Sequence, residues 1–283
     1  MKSEEIVDVR GISFGPLQKS FSVISLVPSW TETLFYLGLT AEEILGRTDY
    51  CVHPPAKVRD IEKLGGPKDP NLDRVFELNP DLIIVDREEN RREDVERMDT
   101  YWGVSRVFAT GPTTVNQALE TVGQLGLLLN SRDRARELVE NVRSWMTRLV
   151  RQDRGTVVYL VWEDPLIAAT RQTYIGDVLE TLGYKNVLEG SHLADVKKES
   201  GMAYPVVTLE EVIRLRPETI FLPTEPFPFR RMHVDRLRTQ IHQLDSKYAE
   251  NVDIRIVNGE YFSWYGSRMI PAFRYFVRHQ MQL

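Results

Sequence analysis

Cysteine is nearly missing: Cys51 is the one thiol in 283 residues, so no intramolecular disulfide can form, which suits a reducing compartment. Long apolar runs are missing too. The longest, such as Phe21 to Val27, fall far short of the roughly 20 residues that a spanning helix needs, which excludes membrane insertion. The N-terminus, Met1-Lys-Ser-Glu-Glu5, is broken by charge where a secretory leader carries a basic segment and then about 7 to 15 apolar residues. That predicts a cytoplasmic protein; a periplasmic one follows if the true start lies elsewhere. An excess of positive charge is also absent, because 36 Lys and Arg face 41 Asp and Glu for a net charge of −5. Nonspecific nucleic-acid binding needs an uncompensated basic field and is excluded. Gly65-Gly66 is followed by no Gly-Lys-Ser/Thr, and no GxGxxG occurs, so nucleotide chemistry has no motif here.

What is present is a globular α/β composition, 42% hydrophobic and 27% charged. Short β-branched runs alternate with helical patterns, the arrangement of βαβ units. Strands are expected at Phe21 to Val27, Ile44 to Arg47, Asp81 to Asp86 and Ser105 to Thr110. Ser29 and Glu32 read as a capping box that opens the first helix, which ends at Gly38. Helices follow at about Pro70 to Leu78, Arg91 to Trp102 and Thr114 to Leu129. From Asn130 to Arg154 there is neither Gly nor Pro, and Ala135, Leu138, Val142 and Leu149 keep one face apolar, predicting a helix of about 21 residues. Alternation then resumes, with strands at Thr156 to Trp162, Leu166 to Ala169, Thr219 to Leu222 and Ile254 to Val257. Helices are expected at Tyr174 to Leu182, Leu209 to Leu215 and from about Ile270.

An internal repeat divides the chain. Leu72-Asp-Arg-Val-Phe-Glu-Leu-Asn-Pro-Asp-Leu-Ile-Ile-Val85 aligns without gaps on Leu209-Glu-Glu-Val-Ile-Arg-Leu-Arg-Pro-Glu-Thr-Ile-Phe-Leu222, each a helix ending at Pro before a buried strand. Together with Ile24-Ser-Leu-Val-Pro-Ser-Trp-Thr-Glu-Thr33, Gly65-Gly-Pro-Lys-Asp-Pro-Asn-Leu72 and Gly176-Asp-Val-Leu-Glu-Thr-Leu-Gly183, these phrases resemble the class III periplasmic binding proteins. Those are the helical-backbone metal receptors that include cobalamin, haem and siderophore binders, and the likeness runs from Phe21 to His279, nearest to the cobalamin branch.

The resemblance implies two Rossmann-like lobes with parallel sheets, 1–130 and 154–283, joined by one long backbone helix over 131–153. It implies a noncatalytic binding protein that holds a corrinoid, haem or another small metal chelate in the inter-lobe cleft. Transport members also carry an acid on each lobe that docks onto arginines of an ABC permease. Asp73 and Glu210 stand at those positions, and a permease is a partner only if an export signal exists. At Pro67 the chain departs from cobalamin receptors, which place an aromatic ring there.

Ligands of open parallel sheets collect beyond the carboxyl ends of the strands, so the residues after each strand are site candidates. These are Trp30, Tyr50, Glu88 and Asn90 in the first half, and Trp162, Phe227, Phe229, Tyr261, Trp264, Tyr265 and Arg268 in the second. Such aromatics would stack on a flat macrocycle and the Arg would pair with its carboxylates, or each ring is simply core. Cys51 and His53 could share a soft metal, with His233, His192 or Glu88 completing it, and would then serve a cytoplasmic metal-dependent enzyme or metal-handling protein. Alternatively, Cys51 is a small buried residue beside a hydrogen-bonded histidine.

Overall fold

Five residues from Leu82 to Asp86, all buried, form an interior strand of the first sheet, because a strand covered on both faces reads as a near-continuous apolar run, here Leu82 to Val85. The computed structural model describes residues 5–150, 152–188 and 203–279. They divide into two compact units. Unit 1 takes the chain up to Pro112, Asn116–Trp145 and Trp264–Pro271, and unit 2 takes Thr113–Val115, Met146–Ser263 and the chain from Ala272.

In unit 1 the strands are β1 (Val23–Ser25), β2 (Ile44–Arg47), β3 (Glu62–Lys63), β4 (Leu82–Asp86) and β5 (Val107–Thr110), in the order β3-β2-β1-β4-β5 and parallel throughout. The order reverses between β1 and β4, where an α/β sheet opens a crevice at its carboxyl edge. Helix α1 (Pro28–Leu37) follows β1, α2 (Leu72–Leu78) precedes β4, and α3 (Arg92–Trp102) follows it. The core packs Ile24, Leu26, Val75, Ile83, Val85, Met98 and Val107 together. Helix α4 (Val115–Leu128) and helix α5 (Arg132–Met146) come next.

In unit 2, β6 (Thr156–Trp162), β7 (Ile167–Ala169), β8 (Lys185–Asn186), β9 (Thr219–Pro223) and β10 (Asp253–Val257) form the second sheet, ordered β7-β6-β9-β10 with β8 also on β6. Strand β7 is antiparallel to β6, while β8, β9 and β10 run parallel. The expectation of parallel sheets therefore gains one hairpin edge. Helices α6 (Tyr174–Thr181), α7 (Leu209–Leu215), α8 (Arg231–Leu244) and α9 (Gly259–Ser263) belong to this unit, and α10 (Met269–His279), whose first three residues count with unit 1, ends the described chain.

The repeat is visible in the backbone. Asn71 caps α2 by accepting from Arg74 N, and Thr208 caps α7 by accepting from Glu211 N. Asn79 and Arg216 then close the two helices in the left-handed region, at φ 45° and 47°, each directly before its Pro. Three expectations change. Helix α1 starts on Pro28 with Val27 at its N-cap and no side-chain cap, so Ser29 and Glu32 form no capping box. Helix α5 has 15 residues, shorter than its Gly- and Pro-free run: Leu149 is only half-buried and Val150 is exposed, so little apolar burial favours another turn. The segment after β9 holds a full helix, α8, whose Val234, Leu237 and Ile241 face the core.

Candidate functional site

In unit 1 the strand exits converge on Asp86, the last residue of β4, buried at the carboxyl edge of the sheet. A carboxylate there needs partners. Oδ2 accepts from the Thr110 hydroxyl at 2.6 Å, and that hydroxyl in turn accepts from Trp30 Nε1 at 2.8 Å. Oδ1 accepts from Glu88 N at 2.9 Å. Tyr265 also bonds Asp86; burial, then the charges of Asp86, Glu89 and Glu88, push its phenol well above the usual range, so it stays a protonated donor. Trp30 is 0% exposed and lies against Tyr265, with ring centroids 4.7 Å apart. As placed, Trp30 is core and has no face to offer a ligand. Asn90 is also occupied: its Oδ1 accepts from Asp86 N, and its Nδ2 donates to Leu26 O and Pro67 O, stapling three loops together.

The segment from Trp264 to Pro271 packs on α1. Gly266 permits the approach: its φ is +72°, and a Cβ there would sit 2.0 Å from Thr33 Oγ1. Ser267 N donates to the same Thr33 oxygen at 3.0 Å. Arg268 pairs with Glu32 through Nε at 3.0 Å and Nη2 at 2.9 Å, and its guanidinium lies 5.4 Å from the Trp264 ring centroid. The Arg foreseen for ligand carboxylates thus already holds a carboxylate of its own chain. Trp264 is buried and meets the His53 ring edge-on at 5.7 Å. Tyr50, by contrast, is 64% exposed. Lys68 Nζ donates to the carbonyl of Glu88 at 2.5 Å, bringing a cation to the stretch that bears Glu88 and Glu89.

Cys51 is buried with its Sγ 3.0 Å from Thr31 Oγ1 and 3.1 Å from Thr48 Oγ1. Burial pushes the thiol above its ordinary range, with the two hydroxyls offsetting part of the effect. Among the described residues no three His, Cys, Asp or Glu side chains are grouped as a metal requires; His192 lies outside those residues.

In unit 2 the exits are more open. Strand β6 carries a register shift between Leu160 and Trp162 against β7, and a bulge of this kind re-aims the side chain beside it. Trp162 is 39% exposed and meets Phe227 edge-on at 5.4 Å, while Phe227 is half-buried and packs on buried Phe229 at 4.7 Å. His233, in the first turn of α8, touches both phenylalanines. Glu163 forms ion pairs with Arg236 and faces His233 at 3.7 Å. Tyr261 sits apart, half-buried on α9 against Tyr275. Asp73 and Glu210 are exposed in the first turns of α2 and α7, where an acid complements the helix dipole.

The sequence did not single out Asp86, Thr110 or Arg236, and it read Glu32 as a helix cap. Asp86 carried a signal, an acid closing an otherwise apolar strand; Arg236 was hidden because α8 was unread.

The model of the family described as Periplasmic binding protein matches residues 23–242. A vitamin B12-binding protein of Photorhabdus laumondii subsp. laumondii is 26% identical over 204 residues, 71% of this chain and 70% of the relative. Two solved structures share the fold: the periplasmic vitamin B12 binding protein of Vibrio cholerae, with TM-score 0.73, 16% identity and coverage of 93% and 98%, and a periplasmic heme-binding protein from Roseiflexus sp. RS-1, with TM-score 0.73, 17% identity and coverage of 92% and 98%. With that family model spanning most of the two-unit α/β chain, the protein belongs to the periplasmic binding protein family.

Proposed function

We propose that this chain is a noncatalytic binding protein for a corrinoid or haem, with a corrinoid preferred. The observation that carries the reading is the bared aromatic pair Trp162 and Phe227 at a strand exit of unit 2, in a chain whose curated relatives are named for vitamin B12. A macrocycle edge laid on these rings gains apolar burial and stacking. The preference for a corrinoid rests on the curated relatives, which are named for vitamin B12. Binding rather than turnover fits Cys51, whose buried thiol stays protonated between two threonines and makes a poor nucleophile.

Calorimetric titration with cyanocobalamin and, separately, with hemin tests the reading. One equivalent of cyanocobalamin should bind more tightly than hemin. Failure of both at micromolar protein would refute the reading, and tighter hemin binding would refute the preference for a corrinoid.

A further inference from the structure

The loop that bears Phe227 is held from the helix that follows it. His233 lies in the first turn of α8, and its Nδ1 accepts from Arg230 N at 2.7 Å, fixing the turn from loop into helix. An accepting Nδ1 carries no proton, so in the neutral ring the proton sits on Nε2, which faces Glu163 Oε2 at 3.7 Å. The same ring stands edge-on to Phe227, at 5.3 Å and 79°, and to Phe229, at 5.7 Å and 89°. Glu163 directly follows Trp162 and is held a second time by Arg236, three residues beyond His233 on α8. One helical turn therefore grips both sides of the aromatic pair: the loop with Phe227 through His233, and the end of β6 with Trp162 through Glu163.

We propose that His233 is a positioning residue that sets the placement of Phe227 against Trp162, with Glu163 as its counterpart on the β6 side. Its consequence for ligand rests on the reading of those two rings as the ligand platform. The assignment gives Nδ1 a structural use, the bond it accepts from Arg230 N, with Nε2 turned toward Glu163.

The test uses the full chain and reads Trp162 without ligand, as the difference in emission between each variant and the same variant carrying Trp162→Phe. In His233→Ala, acrylamide quenching of Trp162 should rise about twofold or more as the wall loosens, and affinity for cyanocobalamin should fall about five- to twentyfold. His233→Asn, whose Oδ1 can take over the bond from Arg230 N, should recover most of both. A merely structural histidine would lower the melting temperature in all variants and leave Trp162 quenching unchanged. Unchanged quenching in His233→Ala, or no recovery in His233→Asn, overturns the proposal. Should His233→Ala fail to fold, Glu163→Gln on the partly exposed side gives the same readout with a smaller rise, and no rise there counts against it. If the wild type binds neither cyanocobalamin nor hemin, the ligand reading falls while the quenching still decides the positioning role.

Discussion

The two sets of strand exits use the same residue types to opposite ends. In unit 1, Trp30, Trp264 and Tyr265 are shut in by one another, by Asp86 and Thr110, and by the Glu32–Arg268 pair. In unit 2, Trp162 and Phe227 keep part of their faces outside, and the polar groups around them hold the rings at their edges. The difference comes from what packs on top. Unit 1 recruits the late segment Trp264–Pro271 onto α1, and a buried indole must then find an acceptor, which Thr110 supplies. Aromatics at strand exits are thus core where a second segment covers them and partly exposed where a bulge turns them outward.

The largest break of this comparison is Trp30→Ala, which should destabilise unit 1 by about 3 to 5 kcal/mol in chemical denaturation, since the cavity is fully enclosed. Next is Gly266→Ala. The clash with Thr33 and the positive φ should lower stability by about 1 to 3 kcal/mol, and a stability within error of wild type would show that the segment tolerates displacement. Trp162→Ala should move the other observable, weakening cyanocobalamin by about 1 to 3 kcal/mol with stability changed by no more than about 0.5 kcal/mol. Cys51 sharpens the closed character of unit 1. Because burial raises its pKa, little thiolate exists at pH 8, and iodoacetamide should label it only after guanidinium unfolding; native labelling would show that the loop opens. The smallest effects belong to Asp73→Lys and Glu210→Lys, each expected to lower stability by about 0.3 to 1 kcal/mol through the helix dipole and to leave ligand affinity alone.

Much of the fold was legible because the signals were local. The strand from Thr156 to Trp162 and helix Leu209–Leu215 carry clear runs and stops, and the repeated helix-Pro-strand phrase appears in space as two left-handed closures at Asn79 and Arg216. The site was less legible, for a physical reason. Whether Trp30 is a platform or core depends on Gly266 and Tyr265, which approach it only through tertiary packing, and period and composition do not encode such a contact. Glu32 looked like a helix cap because Ser and Glu stood three apart, yet Pro28 took the start of α1 and left Glu32 to pair with Arg268. Helix α8 could have been read from Val234, Leu237 and Ile241, whose spacings of three and four were masked by the surrounding Arg, His and Gln.

The central claim, that unit 1 aromatics fold the chain while unit 2 aromatics bind its ligand, is tested most directly by one paired measurement. Wild type, Trp30→Phe and Trp162→Ala are each titrated with cyanocobalamin and each unfolded in urea. The account predicts that Trp162→Ala loses about fivefold or more in affinity at an unchanged unfolding midpoint, while Trp30→Phe lowers the midpoint and binds as wild type. Unaltered affinity in Trp162→Ala, or lost affinity at full stability in Trp30→Phe, would contradict it.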